Sequence, residues 1–264
     1  MATYFPSKND WIKSKETTLR NLRITNSGIP NATKVIMLYG EEPEEGFVKL
    51  LNECGFEVIK SKREAKHGCK FCAALYRFLD VEEYLNDHKG EFDRVALNDF
   101  RDVAWFSDGF ATIKEKELFV SGECYGKEIK CQSVNIDLMR SIMISTFGRE
   151  IQNQLDKIGG IMINIGMVMG DTESIISFLS IYNSEARKAP QHFPMWGFDQ
   201  MVVNVIYHFG MLKHLNITEN TLSQRYGFGM YDGSILYDSE SKIIYDINGT
   251  CSPVIRHKIK GLFL

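Results

Sequence analysis

The stretch from residue 34 to residue 59 restricts the fold more than any other. Lys34-Val-Ile-Met-Leu-Tyr39 is a short apolar run that stops at Gly40, the pattern of a buried first strand. Glu44 to Cys54 follows with Phe47, Leu50 and Leu51 on one helical face, and Gly55 supplies a stop. Phe56-Glu-Val-Ile59 is then a second strand. This alternation of strand, helix and strand predicts parallel pairing with helices on the faces of the sheet.

Downstream segments extend the pattern. Lys70 to Leu85 reads as a helix with Cys72, Leu75, Phe78, Leu79 and Tyr84 near one face, and Arg94-Val-Ala-Leu-Asn98 as a strand running into Asp99-Phe-Arg-Asp102. Asn135 to Leu155 carries a helical apolar stripe. Ile161 to Met169 reads as a strand with a turn at Gly170, and Asp171 as the N-cap of a helix through Tyr182. Gly197 to Phe209 is another helix, and the remainder is strand-rich, with Asn248-Gly249 as its turn signal. The expected class is α/β: a mixed, mostly parallel central sheet flanked by helices in a single domain over 34–264, preceded at 1–33 by a polar arm or helix.

Composition sets the outer limits. With 264 residues, 44% hydrophobic and 25% charged, the chain has the make-up of one or two folded domains rather than a disordered segment or a rod. Its 31 Lys and Arg against 34 Asp and Glu give a net charge of -3. No basic footprint for nucleic acid results, so an anionic ligand would have to be met locally. The most apolar window, Ile158 to Gly170, is too short for a bilayer span, which takes roughly 20 residues. The first residues lack the apolar core of a secretory signal. A cytoplasmic protein is expected for the chain as given, or a secretory one if a targeting segment precedes it. The three sequons, at Asn31, Asn216 and Asn248, would matter only in the latter case. Six cysteines are too few for a disulfide scaffold, and Cys69-x-x-Cys72 has no second metal-binding pair, so reduced, mostly buried thiols are expected.

Four groups of residues have functional chemistry. Asp99 and Asp102 end a strand, where open α/β sheets bind ligands. Two carboxylates three apart in a turn can share one divalent cation, although the same spacing fits a solvated turn in which Asp99 caps and Arg101 pairs with a neighbour. In Ile163-Asn-Ile-Gly-Met-Val-Met-Gly170, Asn164 and Gly166 break an apolar run. Such a break marks either a close approach by another backbone or ligand, or a bulge with the Met residues as packing. Trp196-Gly-Phe-Asp199-Gln200 follows a Pro-containing loop. Asp199 there suits the helix dipole, while a Trp ring and a Gln amide suit the two faces of a sugar. Near the end, Arg256, Lys258 and Lys260 form a basic cluster around His257, either a solvated terminus or a source of a nitrogen ligand and a phosphate-binding Lys.

In order and spacing these groups resemble the GT-A fold, nucleotide-sugar-dependent glycosyltransferases, especially the glycogenin-like branch and the glycosyltransferase domain of collagen-lysine-modifying enzymes. The resemblance runs over about residues 34 to 261. It rests on Val95-Ala-Leu-Asn-Asp-Phe-Arg-Asp-Val103 with Phe106-Ser-Asp-Gly-Phe110, on Asn164-Ile-Gly166, on Asp199-Gln200 with Asn204, and on His257 near Gly261. It implies that Asp99, Asp102 and His257 hold Mn²⁺ (or Mg²⁺) against the diphosphate of a nucleotide sugar, a UDP-sugar being favoured. By the same resemblance Tyr39 and Gly40 meet the nucleotide, and Arg77 and Lys260 approach phosphate. Asn164, Gly166, Asp199 and Gln200 line the sugar and acceptor pocket, with Asp199 the candidate base, and the ring of Trp196, read from its residue type, is the candidate for the apolar sugar face. The partners implied are a nucleotide-sugar donor and an acceptor glycan, protein or small molecule, with no nucleic acid and no membrane segment in this chain.

The sequence also departs from that pattern. No Lys-Pro-Trp follows His257, Gly109 stands where the family has Pro, and Trp105-Phe106 stands where it has Phe-Gln. These departures motivate a second reading, a catalytically inactive relative that binds a glycan or a protein. A nucleotidyltransferase on a similar sheet is disfavoured, because Glu41, Glu42, Glu44 and Glu45 stand where a basic phosphate loop is required.

Overall fold

A computed structural model describes residues 1–4, 8–63, 69, 71–125, 130–220, 226–227, 235–238, 243–246 and 254–257. In chain order the first elements are β1 (Ala2–Tyr4), α1 (Lys8–Gly28), β2 (Val35–Tyr39), α2 (Phe47–Glu53), β3 (Glu57–Lys60), α3 (Cys72–Asp87), β4 (Arg94–Asn98) and β5 (Val103–Trp105). Next come β6 (Glu117–Gly122), β7 (Cys124–Tyr125), β8 (Lys130–Cys131), α4 (Asp137–Phe147), α5 (Arg149–Ile158), β9 (Ile163–Asp171), α6 (Thr172–Ala186) and α7 (Phe198–His208). Short strands complete it: β10 (Asn216–Asn220), β11 (Tyr226–Gly227), β12 (Ile235–Asp238), β13 (Ile243–Asp246) and β14 (Ile255–His257).

The expected α/β architecture is present. β1, β2 and β3 form a parallel sheet in that spatial order. A second sheet has the order β10-β6-β9-β4, with β10 parallel to β6 and β9 antiparallel to both of its neighbours. Every residue of β9 is buried, because α6 and α7 pack on the strand. Leu75 and Phe78 of α3, Phe178 and Tyr182 of α6, and Val202 and Ile206 of α7 join Val120, Ile163 and Val168 in one apolar core. A third small sheet, β11-β14-β5, brings the distant segment 255–257 against residues 103–105, with His257 opposite Val103.

Several local expectations are refined. The strand at 35–39 is not the first, since β1 pairs with it. The helical stripe from Asn135 to Leu155 is two helices, α4 and α5, broken at Gly148 (φ 89°). Positive φ there is open to Gly and strained for other residues. β9 runs through Gly170 to Asp171 rather than turning there, and Asp171 does cap α6, accepting from the Ser174 N–H at 2.7 Å. The Asn248-Gly249 turn and the Lys258–Gly261 segment lie outside the described residues. The expectation of reduced thiols holds for buried Cys54. Cys69–Cys72 and Cys124–Cys131 are instead disulfides, with Cα atoms 5.3 and 3.9 Å apart. In the second pair, the β7–β8 ladder sets the two residues directly opposite each other.

The helix expected to be polar, α1, is polar on its buried face as well. Trp11, Thr18, Leu22 and Thr25 recur at helical spacing and are all fully buried. Asn21 donates to the Arg101 carbonyl at 3.0 Å, and Thr25 Oγ1 accepts from the Trp105 N–H at 3.2 Å. These bonds fasten the backbone that carries Asp102. A Cβ on Gly28 would overlap the Trp105 carbonyl, so the last turn of α1 lies directly on β5. Trp11 meets Phe47 of α2 edge to face at 4.9 Å. Truncating a buried Trp leaves a cavity that costs about 3–5 kcal/mol. Trp11→Ala is therefore expected to lower the urea midpoint by that equivalent, with exposed Lys13→Ala close to wild type.

Candidate functional site

The site begins with an irregularity in β9. Val120 of β6 pairs with Val168, but the next residue, Ser121, pairs with Asn164, so Ile165, Gly166 and Met167 are extra on β9. This bulge re-aims the backbone at Gly166. The Gly166 carbonyl accepts from the Asp99 N–H at 2.9 Å, and its own N–H donates to Asn164 Oδ1 at 2.8 Å. A Cβ at position 166 would overlap His257 Cε1 and come within 2.7 Å of Asp99 Oδ2 and 2.8 Å of Asn164 Oδ1. The two meanings open in the sequence, a bulge and a close approach, are therefore one feature. Met167 and Met169 are core packing.

Around this glycine, β4 ends at Asp99, the following bend supplies Asp102, and β14 delivers His257. His257 Nε2 lies 3.2 Å from Asp99 Oδ2 and 3.6 Å from Asp102 Oδ1. Ligand atoms of the three residues all lie within 4.8 Å of one another. The imidazole is fully buried, whereas the two aspartates remain partly accessible. Burial alone would lower the pKa of His257, but the hydrogen bonds and charges of Asp102 and Asp99 outweigh it and raise the value. Two carboxylates and one imidazole form an oxygen-and-nitrogen donor set that suits a divalent cation, and the missing Cβ lets the imidazole and Asp99 close on the backbone at Gly166. The residues present thus fit a divalent cation.

Arg77 extends the site. It projects from α3 and is 9% exposed, with its guanidinium 4.6 Å from the Phe78 ring centre. Nη1 donates to Asp99 Oδ1 at 2.5 Å, and Nη2 lies 3.8 Å from Asp199 Oδ2. Nη2 also donates to the Ile165 carbonyl at 3.4 Å, on the bulge itself. Burial raises the pKa of Asp199, Arg77 pulls it back down, and the charge of Asp99 raises it further. One buried cation is therefore shared by a candidate metal ligand and a second carboxylate.

A layer of amides lies alongside. Asn204 of α7 accepts from the Ile163 N–H and donates to the Ile163 carbonyl, each at 2.9 Å, which fixes α7 to the start of β9. Asn164 and Gln200 both donate to Glu123 Oε1, at 2.9 and 2.7 Å. No motif in the sequence points to Glu123. Its only signal was its place in Gly122-Glu-Cys-Tyr-Gly126, directly before a cysteine.

The Tyr39 side chain is fully buried, and its hydroxyl donates to Asp80 at 2.6 Å. Burial, then the charge of Asp80, raises its pKa. Asp80 also accepts from Ser61 Oγ and Arg63 Nε, each at 2.6 Å. Gly40 follows with a φ of 77°. Trp196 is 47% exposed on the loop before α7. Lys260 lies outside the described residues.

No family profile matches the chain, and no curated protein matches it. Among solved structures, the galactosyltransferase LgtC in complex with donor and acceptor sugar analogs has 11% identity, covering 94% of this chain and 84% of that one, with a TM-score of 0.48. An active-site mutant of LgtC has 12% identity, covering 94% and 85%, with a TM-score of 0.47. No helix among the described residues is long and apolar enough to cross a membrane.

Gly166→Ala tests the geometry. The added methyl must displace His257 or Asp99, so Mn²⁺ affinity by titration calorimetry is expected to fall at least about 10-fold. The melting temperature should also fall, by several degrees for a cost of about 1–3 kcal/mol. Retained Mn²⁺ affinity would show that the three side chains do not meet on this glycine.

Proposed function

We propose that the chain is a metal-dependent glycosyltransferase of GT-A type that moves a sugar, with a hexose favoured, from a nucleotide-diphosphate sugar to an acceptor hydroxyl. UDP is the favoured nucleotide and Mn²⁺ the favoured ion. The observation that carries this reading is the meeting of Asp99, Asp102 and His257 on Gly166, with Arg77 holding both Asp99 and Asp199. A divalent ion held by the three ligands would supply positive charge to a departing diphosphate, which a chain of net charge -3 does not supply globally.

The protein's own groups have separate tasks. Asp99 and Asp102 provide oxygen ligands on the accessible side, and His257 provides nitrogen from the buried side. Arg77, already desolvated, stabilises negative charge developing beside Asp99 more strongly than a solvated cation would. Asn164 and Gln200 offer amides to sugar hydroxyls. Asp199, with its pKa raised by burial, is the candidate base toward an acceptor hydroxyl.

Calorimetric titration of UDP tests the reading. Binding is expected with Mn²⁺ and not without it, and Asp102→Ala should weaken it by about 100-fold, roughly 2.7 kcal/mol. UDP binding indifferent to Mn²⁺ would refute the proposal. Metal-dependent UDP binding without any release of free sugar from UDP-sugars would favour the inactive, glycan- or protein-binding alternative.

A pH measurement adds a second check. Because the folded pKa of His257 is raised, its charged form stabilises the metal-free protein fully below the unfolded value, about 6.5. That contribution disappears as pH rises through the folded value. A metal needs the neutral ring, so it competes with this proton. Mn²⁺ affinity should therefore rise with pH from about 6 to 8. Calorimetry in buffers of different ionisation enthalpy should detect proton release, which His257→Gln abolishes.

A further inference from the structure

We propose that Glu123 is a positioning residue that sets the orientation of the two amides beside the candidate site, an inference that rests on the glycosyltransferase reading of that site. An ionised carboxylate only accepts hydrogen bonds, whereas an amide donates from nitrogen and accepts at oxygen. Glu123 Oε1 therefore draws the nitrogen ends of Asn164 and Gln200 toward itself, at 2.9 and 2.7 Å. Their oxygen ends are turned away. For Asn164 that end meets the Gly166 N–H at 2.8 Å, and Gly166 in turn accepts from the Asp99 N–H at 2.9 Å. A reversed Asn164 amide would set oxygen against oxygen at Glu123 and nitrogen against nitrogen at Gly166. One carboxylate oxygen thus fixes an amide on β9, an amide on α7 and, through the bulge, the backbone that presents Asp99.

Glu123 is itself held by bonds that do not involve its carboxylate. Its N–H donates to the Met162 carbonyl and its carbonyl accepts from the Gln132 N–H, both at 2.8 Å. Met162 N–H donates to the Gln132 carbonyl, also at 2.8 Å. The Cys124–Cys131 disulfide closes the hairpin immediately after it. Replacing the side chain leaves this backbone frame in place, so its effect can be read apart from loss of the hairpin.

The experiment uses the whole chain with Glu123→Leu, which has no acceptor, and Glu123→Gln, which keeps one. Side-chain amide resonances of Asn164 and Gln200 are followed in ¹⁵N spectra of the metal-free protein, and Mn²⁺ alone is titrated by calorimetry. Expected for Glu123→Leu are shifts of both amide signals together and Mn²⁺ binding weakened about 10-fold, the low end of the range for loss of a direct partner of a metal ligand, since Glu123 reaches Asp99 through Asn164 and Gly166. Glu123→Gln should restore both amide signals and bind Mn²⁺ within about 3-fold of wild type. A merely structural role would lower the melting temperature and leave the Mn²⁺ affinity unchanged. The proposal is overturned if a folded Glu123→Leu leaves the amide signals or the affinity unmoved, or if Glu123→Gln is as impaired as Glu123→Leu. Should Glu123→Leu not fold, Glu123→Asp decides, since a carboxylate one methylene short must shift both signals and unmoved signals overturn the proposal. If wild type binds no Mn²⁺, the metal-dependent reading fails, and the amide spectra alone judge Glu123.

Discussion

The candidate site depends on a single local departure from sheet regularity. Three residues of β9 have no counterpart on β6, and the middle one lacks a side chain. A regular β9 would carry every side chain alternately to one face or the other, with no backbone free to meet a carboxylate and an imidazole. The bulge supplies that backbone, buried but released from pairing with β6, and Gly166 supplies the close approach. Asp99 is held by a bulge carbonyl, Asn164 by a bulge N–H, and Arg77 by the carbonyl of Ile165.

Charge in this region is held in pairs. Arg77 is almost wholly withdrawn from water, which costs several kcal/mol in an apolar setting unless anions compensate. Asp99 and Asp199 supply that compensation from two sides. His257, wholly buried, is compensated by Asp99 and Asp102. Asp99 thus serves two cations at once. A divalent ion entering between the aspartates would take over part of that role, and its binding would redistribute charge as far as Asp199.

Much of this is legible in the sequence. The alternating strands and helices from residue 34 to residue 59 carried the fold class, because an apolar run ending in Gly and a helical stripe ending in Gly are unambiguous locally. Asp99 and Asp102 at a strand end and His257 in a basic cluster each had a solvated alternative, and only the family resemblance joined the three into one ligand set. The two-helix break at Gly148 was hidden because apolar spacing continues across it. The buried face of α1 was hidden for the opposite reason: Thr18, Asn21 and Thr25 are buried polar residues that interrupt the apolar stripe, and Asn21 and Thr25 bond backbone there. Glu123 was invisible because its value comes from two amides far away in sequence, which no local pattern encodes. Tyr39, given a nucleotide contact only by the family resemblance, donates its hydroxyl to Asp80, a partner 41 residues away that no local pattern encodes.

The pairing of β14 with β5 also bears on how the protein matures. Residues 103–105 are flanked early by α1, yet their sheet partner lies in the segment 255–257, so this contact closes one of the longest loops in the chain. Contacts of such sequence separation form slowly, because loop entropy must be overcome before they return any free energy. The two aspartates can be in place while the imidazole is still absent. Completion of the Asp99–Asp102–His257 cluster would then come late in folding, since a chain with its bulk already packed lacks the imidazole until β14 arrives.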